Sequence, residues 1–441
     1  MTRGRPEGFL LLAGLGVLSL CGALFVWVAL LGGVLSDKQR AAHLADTAAL
    51  SAAGWFAQSL NYQAYANRAI AANEIMIAQS MTLLAWVDYA SRLAGNSATV
   101  ASVVPALQPL MGYVQEAATL SREVTKGAVS LEVPFRSGYT RALLASQEAM
   151  QVAVSPFATQ SLVNEVVWSG DRRYFGQYLP SSDVTRFYRA VETKQHTERE
   201  PLADFVSSGL DSWSRSRGYD QRLYLLPTTG CIPTSIDKAF SRFVKRGGTA
   251  LTSDLSSWQS NDTLAIHRWA KRSWWRPTCS SINESISVAW GASDSRGPDD
   301  RGLEDRSGYS ANPGTFSRAN SDRIRIAGYL GFSSFRDFNP TQSADGRFSF
   351  RIPILVRLNA DQSESLRLQK SEKDLDPSLV TSGNAIWALS VAEVRQREIP
   401  ERKVVSQARQ HLFDPFWSVS LVGSSPFDEA AAALVSGVAN K

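Results

Sequence analysis

ADTAALSAAGWFAQSLNYQAYANRAIAANEIMIAQS, residues 45–80, is the stretch on which the reading of the fold turns. It has an alanine at nearly every turn, few charges and no proline. Alanine loses no side-chain entropy in a helix, so this composition predicts a helix strongly. From residue 41 to 94 there is still no proline, and Gly54 is the one weak breaker. An unbroken helix there would reach roughly 80 Å at about 1.5 Å per residue. A fold-back near Asn61 is the alternative that the sequence leaves open. Stepping by three and four picks out Ala45, Ala48, Ala52, Trp55, Ser59, Tyr62, Ala66, Ala69 and Asn73, and the line continues to Ala94. Such a line is a packing stripe of heptad type. Its small residues let a neighbouring backbone approach closely, and a polar residue such as Asn73 can fix register. We take Ala45, Ala48, Ala52, Ala66, Ala69 and Asn73 as the helix-packing interface. Periodicity does not say whose surface covers it, the chain's own domain or a neighbouring subunit.

Upstream, residues 8–35 carry no charge. About 20 apolar residues span a bilayer, so this run is long enough to cross one with some tilt. The apolar core is longer than that of a signal peptide, and a charged segment (Ser36, Asp37, Lys38, Gln39, Arg40) follows it in place of a cleavage site. It reads as an uncleaved anchor. Arg3 and Arg5 before the span nearly balance Lys38 and Arg40 after it. Cysteines decide the orientation. Cys21 lies within the span, and Cys231 and Cys279 are the other two. They read as a disulfide in an extracytoplasmic body, with two unrelated buried thiols as the alternative.

Downstream, Pro105 and Pro109 interrupt the helical pattern, which resumes to about residue 218. Residues 137–155 and 181–194 are amphipathic helix candidates. After residue 219 come short β-branched and aromatic runs: RLYLL, TLAIHRWA, SISVAWG, RIRIAGYLGF, GRFSFRIPILVRL and NAIWALSVAEVRQ. Several alternate apolar and polar, as half-buried antiparallel strands do. Gly247-Gly248 and Asp345-Gly346 read as hairpin turns. Residues 293–322 and 360–383 read as exposed loops, and residues 426–441 as a short helix with Asp428 and Glu429 in its first turn. The expected fold is therefore α+β: a tail (1–8), an anchor (9–35), a helical region (36–218), a mostly antiparallel β domain (219–425) and a C-terminal helix (426–441).

Chemistry is sparse. The 441 residues hold 46 basic and 41 acidic side chains, a formal charge of +5. That is too mild a balance to point to nucleic acid. No HExxH, GxSxG, P-loop, GxGxxG or CxxC motif occurs. His43, His196, His267 and His411 lack metal-ligand spacing, and the acidic run Asp294, Asp299, Asp300, Glu304, Asp305 lacks that of a calcium loop. No catalytic, cofactor or metal residues are assigned. The segment HRWAKRSWWRPTC places Trp269, Trp274 and Trp275 among Arg268, Lys271, Arg272 and Arg276. These tryptophans are a candidate binding surface for sugar or base stacking, but strand alternation predicts them in the core beside the disulfide.

ADTAALSAA (residues 45–53), placed after a membrane segment and a short polar spacer, resembles the TadE/TadG-like proteins of Tad/Flp pilus assembly. LNYQAYANRAIAANEIMIAQS looks like longer members of that class, and HLFDPFWSVSLV (residues 411–422) is similar to a run of the LFNPYWQARL kind in the same proteins. The resemblance covers about the first 90 residues and a patch near the C-terminus. It implies a non-enzymatic, minor pilin-like or assembly component of the bacterial inner membrane. The N-terminus would be cytoplasmic and the body periplasmic, with pilus or secretion-system proteins as partners and no cofactor or small-molecule substrate. Related pseudopilins are cut after a glycine and carry glutamate at the fifth mature position. After Gly8 that position is Ala13, which fits an uncut anchor. The competing expectation is a membrane-tethered binding module or adhesin that uses the Trp-rich β domain.

Overall fold

The computed structural model describes residues 7–101, 108–179, 187, 191–193, 200–296, 303–304, 311–338, 349–358, 386–396, 413 and 415–436. In chain order its elements are α1 (Glu7–Ala101), α2 (Gln108–Ala153), α3 (Pro156–Gly170), β1 (Tyr174–Tyr178), β2 (Val191–Thr193), α4 (Glu200–Ser208) and α5 (Ser212–Arg215). Then follow β3 (Tyr219–Pro227), a 3-10 turn at Ile236–Ala239, β4 (Phe240–Leu251), β5 (Trp258–Ser273), β6 (Arg276–Asp294), α6 (Pro313–Ser321) and β7 (Ile324–Arg325). β8 (Arg336–Phe338), β9 (Ser349–Leu358), β10 (Trp387–Gln396), β11 (Trp417–Val422) and α7 (Pro426–Ser436) complete the chain. The protein is α+β, as its sequence predicts. α1 is one continuous helix with no reversal at Asn61. Its first part is long and apolar enough to cross a membrane and is covered by no protein.

Two compact units form, and α1 and α2 contribute to both. One comprises Met1–Tyr65, Gln147–Glu192 and Arg336–Lys441. Its four-stranded sheet has the order β1-β9-β10-β11, every pair antiparallel. Side chains of β9 alternate strictly. Phe350, Ile352, Ile354, Val356 and Leu358 join the fully buried Ala41, Ala45, Ala48, Ala52, Phe56 and Leu60 of α1 and Val163 and Val167 of α3. Leu355 faces the other way, onto Leu179 and Ala432 of α7. This is the two-residue period of a strand covered on both faces. Phe56 meets Phe350 edge-on at 5.5 Å, and each fully buried side chain of this size contributes about 1.5–3 kcal/mol. Asn61 serves as a substitute ladder partner for Trp417: its Nδ2 donates to the Trp417 carbonyl at 3.1 Å and its Oδ1 accepts from the Trp417 amide at 2.9 Å. α7 begins with a reciprocal cap. Ser425 N donates to Asp428 Oδ2 at 2.8 Å, and Asp428 N donates to Ser425 Oγ at 3.2 Å.

The other unit comprises Ala66–Ser146 and Thr193–Phe335. α2 runs antiparallel to α1, pinned by Asn73 with Thr140 (3.4 Å), Ser80 with Glu132 (2.9 Å) and Asp88 with Arg122 (2.6 Å). A five-stranded sheet, β3-β4-β5-β6-β7, is antiparallel except for the parallel β6–β7 pair. It packs on α1 through Tyr89, Leu264 and Ala289. Gly291 makes this approach possible, because a Cβ there would collide with the backbone of Ala85 and Tyr89.

Strands become frequent after residue 219, and the compact units interleave along the sequence, since a helix as long as α1 has more surface than one sheet can cover. Four expectations are corrected. Gly247 and Gly248 lie inside β4, opposite Asp262 and Asn261, and are not a turn. RIRIAGYLGF yields only β7, because Gly328 and Gly331 have φ of +97° and +85° and turn the chain. Within the expected loop 293–322, residues 313–321 are helical with Thr315 and Ala319 buried. Of the candidate helix 181–194, Val191–Thr193 is strand. Apart from Phe187, its other residues lie outside the described residues, as do Asp345-Gly346 and residues 360–383.

Gly291→Ala should lower the unfolding midpoint sharply, by more than the ~1–3 kcal/mol of ordinary overpacking, because backbone cannot retract as a side chain can. Gly54→Ala, with nothing within 4 Å of the new methyl, should raise stability by roughly 0.5–1 kcal/mol in the same thermal melt.

Candidate functional site

β5 and β6 form a long ribbon whose last paired residues are Ser273 and Arg276. Trp274 and Trp275 are therefore the two residues of the turn. They are 71% and 72% exposed, with ring centroids 3.7 Å apart and planes inclined by 30°. β5 is buried continuously from Trp258 to His267 and then emerges. Alternation predicts the core only where something lies beneath the strand, and the end of this ribbon stands exposed. The core placement expected for Trp274 and Trp275 is thus overturned. Trp269, lower on the ribbon, is half-buried. Its Nε1 donates to the Asp237 carbonyl at 3.1 Å, and Lys238 Nζ lies 5.5 Å from its ring centre.

Cys231 and Cys279 are joined in a disulfide, with their Cα atoms 5.0 Å apart. Ile232 N donates to the Pro277 carbonyl at 2.7 Å and Cys279 N to the Ile232 carbonyl at 2.9 Å. Lys238 Nζ adds a bond to the Cys279 carbonyl at 3.0 Å. These links staple the loop after β3 to the outer half of the ribbon.

The expected helix-packing residues divide between the two units. Ala45, Ala48 and Ala52 are fully buried in the first. In the second, Ala66 and Asn73 are buried and Ala69 is half-buried. Asn73 bonds Thr140 and accepts from Arg136 at 3.3 Å, so its partners lie on α2. The chain's own side chains cover most of this stripe. Sequence reasoning missed a different surface. Tyr113, Leu120, Val124, Leu131 and Phe135 of α2 are 74%, 65%, 63%, 77% and 74% exposed. Their spacing of seven, four, seven and four puts all five on one helix face. The same helix buries Val129, Val133 and Thr140 on its opposite side. Two apolar faces on one helix were legible as a pattern, but not which of them was covered.

The strongest electrostatics are buried. Glu74 is almost fully buried and accepts from Trp258 Nε1 at 2.9 Å and Tyr329 OH at 2.7 Å. Burial pushes its pKa from 4.5 up to about 7, against the lowering effect of those hydrogen bonds and of bonds from Ser333. Asp262, wholly buried, faces two cations: Arg217, which donates to it at 3.0 Å, and Lys245. Burial lowers the Lys245 pKa, and Asp262 opposes that shift. This explains Gly247, whose Cβ would collide with the Asp262 carboxylate.

A cleft of about 740 Å³ is lined by Arg242, Arg246, His267, Glu284 and Arg318 among others. Several of its charged groups are engaged by neighbouring side chains or backbone. Arg242 pairs with Asp220 at 3.1 Å, and Glu284 accepts from Gly314 N at 2.6 Å and Thr315 N at 2.7 Å, capping α6. His267 Nε2 donates to Asn312 Oδ1 at 2.8 Å, because Asn312 Nδ2 is committed to Val244 and Thr263. Among the described residues no group of three His, Cys, Asp or Glu side chains converges as metal ligands do. Of the acidic run, Asp294 is buried and Glu304 accepts from Ser253 at 2.9 Å, so neither belongs to a solvated loop. Asp299, Asp300, Asp305, His196 and His411 lie outside the described residues. Comparison with known proteins gives no match to a family model, a curated protein or a solved structure.

Two outcomes follow from the buried charges. The folded state holds the Glu74 proton at pH values where the unfolded chain has released it, so stability falls as pH rises from about 4.5 through about 7. Glu74→Gln should remove that fall, worth roughly 3 kcal/mol, when urea midpoints are compared across the window. Asp262→Asn strands two buried cations and should cost about 3–5 kcal/mol, whereas Lys245→Met leaves the Arg217 pair intact and should cost clearly less in the same unfolding series.

Proposed function

We propose that the chain is a membrane-anchored, non-enzymatic component of a bacterial Tad/Flp-type pilus or secretion system, acting through protein–protein contacts. One observation carries this reading: α2 presents an exposed apolar face, Tyr113, Leu120, Val124, Leu131 and Phe135, opposite the side on which it buries Val129, Val133 and Thr140. Soluble surfaces rarely leave five large apolar side chains aligned, and such a face is suited to a partner helix. The resemblance of residues 45–53 and 411–422 to TadE/TadG-like proteins supports the system named. The alanine stripe has a different task in this reading. It packs the chain's own core and leaves assembly to α2.

The same proposal places the N-terminal tail in the cytoplasm, the apolar part of α1 across the inner membrane and the body in the periplasm. The Cys231–Cys279 disulfide supports an oxidising compartment for the body. The assigned partners are proteins of the pilus platform, with no nucleic acid or small-molecule substrate.

The test is crosslinking in the native host followed by recovery of the tagged full chain. Pilus platform, secretin or pilin proteins should be recovered with the wild type. Their yield should fall at least about tenfold with Leu120→Glu/Leu131→Glu, since each apolar anchor at such a face contributes about 1–2 kcal/mol. Recovery of envelope proteins without any pilus component, or full recovery with the double variant, would contradict the assignment.

A further inference from the structure

The turn of the β5–β6 ribbon does something the assembly reading does not require. Trp274 and Trp275 project from a two-residue turn, nearly three-quarters exposed, with their rings against each other. Two indoles left in water at a tip are costly unless the tip is used. Lys271, Arg272 and Arg276 flank them and are exposed, and Arg268 is partly so. No acidic residue occurs from 268 to 279. The adjoining loop adds Ile232 and Ile236, 58% and 72% exposed, and its one acidic residue, Asp237, is paired with Arg222. The disulfide and the Ile232–Pro277 and Ile232–Cys279 backbone bonds hold this end in shape.

We propose that the end of the ribbon is a lipid-contacting finger, which seats Trp274 and Trp275 at the headgroup–acyl boundary of an anionic bilayer surface. Shape and charge choose this occupant. A saccharide site is flat or concave, with several polar groups converging on the ligand. A two-residue turn is convex, and the polar side chain beside it, Ser273, is turned inward to accept from Trp275 N at 3.4 Å. A convex tip can bury two indoles in a surface that yields to it, and a bilayer yields. Tryptophan is enriched at the headgroup level because one edge is apolar and the other donates a hydrogen bond. A collar of cations without acids matches anionic headgroups, which attract each Lys or Arg near the surface. The stapled base keeps insertion from being opposed by ordering of the loop.

The test uses the full chain. It is reconstituted in nanodiscs of acyl-brominated phosphatidylcholine and phosphatidylglycerol, which reports contact with its own bilayer. Separately, it is placed in unbrominated phosphatidylcholine nanodiscs mixed with brominated vesicles, which reports contact with a second bilayer. Bromine quenches only indoles that enter the acyl region. Of the 12 tryptophans, a Trp274→Phe/Trp275→Phe variant removes the two at the tip. The expected result, in at least one arrangement, is stronger quenching of the wild type than of this variant, with the difference lost when phosphatidylglycerol is omitted or salt is raised. Vesicle association should weaken about tenfold in Trp274→Ala/Trp275→Ala, and by a similar factor when Lys271, Arg272 and Arg276 are all changed to Gln. An intact disulfide and unchanged unfolding midpoint establish that these variants are folded. Equal quenching of wild type and Phe variant in both arrangements overturns the proposal. So does a difference indifferent to anionic lipid, or saturable binding of the tip to a purified glycan without any lipid quenching.

Discussion

A helix that runs on far beyond an apolar first part of membrane-crossing length must find a cover for its sides, and that constraint organises this protein. The first part is apolar all round and is covered by no protein among the described residues. Beyond it, α1 keeps an apolar, small-sided character and supplies core to two units: Ala41 to Leu60 in one, and residues such as Ile70, Ile77, Met81, Leu84 and Ala85 in the other. Small side chains allow sheet and helix to approach closely on several sides at once. Few charges are tolerated because few positions reach water. Among the polar residues that do occur, Asn61, Asn73, Glu74 and Asp88 are bonded within their units.

Burying so much helix brings polar groups into low-dielectric surroundings, and the second unit answers with specific pairing. Glu74 is held by three side chains and raised toward neutrality. Asp262 compensates two cations at once, with a glycine opposite to make room. Such groups stabilise weakly but penalise any rearrangement that separates them. The bond from Trp258 to Glu74 ties α1 to β5 at one register.

Much of this was legible in the residues. The absence of proline over residues 41–94 announced the long helix, Pro105 and Pro109 announced its end, and alternation in TLAIHRWA and RIPILVRL announced strands covered on at least one face. What failed was any inference that needed to know what lay across from a residue. Gly247-Gly248 looks like a turn to a local rule, because the buried Asp262 that demands Gly247 comes from another strand. Trp274 and Trp275 fit an alternating strand until one knows that the ribbon outruns the layer beneath it. The exposed face of α2 has the same helical spacing as its buried face, so only the packing of Val129 and Val133 tells them apart. The two compact units interleave along the sequence, and a helix shared between two cores has no boundary of its own.

Beyond residue 40, α1 is core and not a free stem waiting for neighbours. The decisive measurement is amide hydrogen exchange on the full chain, held as a single copy in a nanodisc. Amides of residues 45–60 and 70–90 should exchange as slowly as those of β9 and β5, opening only with global unfolding of their units. Exchange of those residues at the rate of an isolated helix, while the strands stay protected, would contradict it and return the alanine stripe to the role of an intermolecular surface.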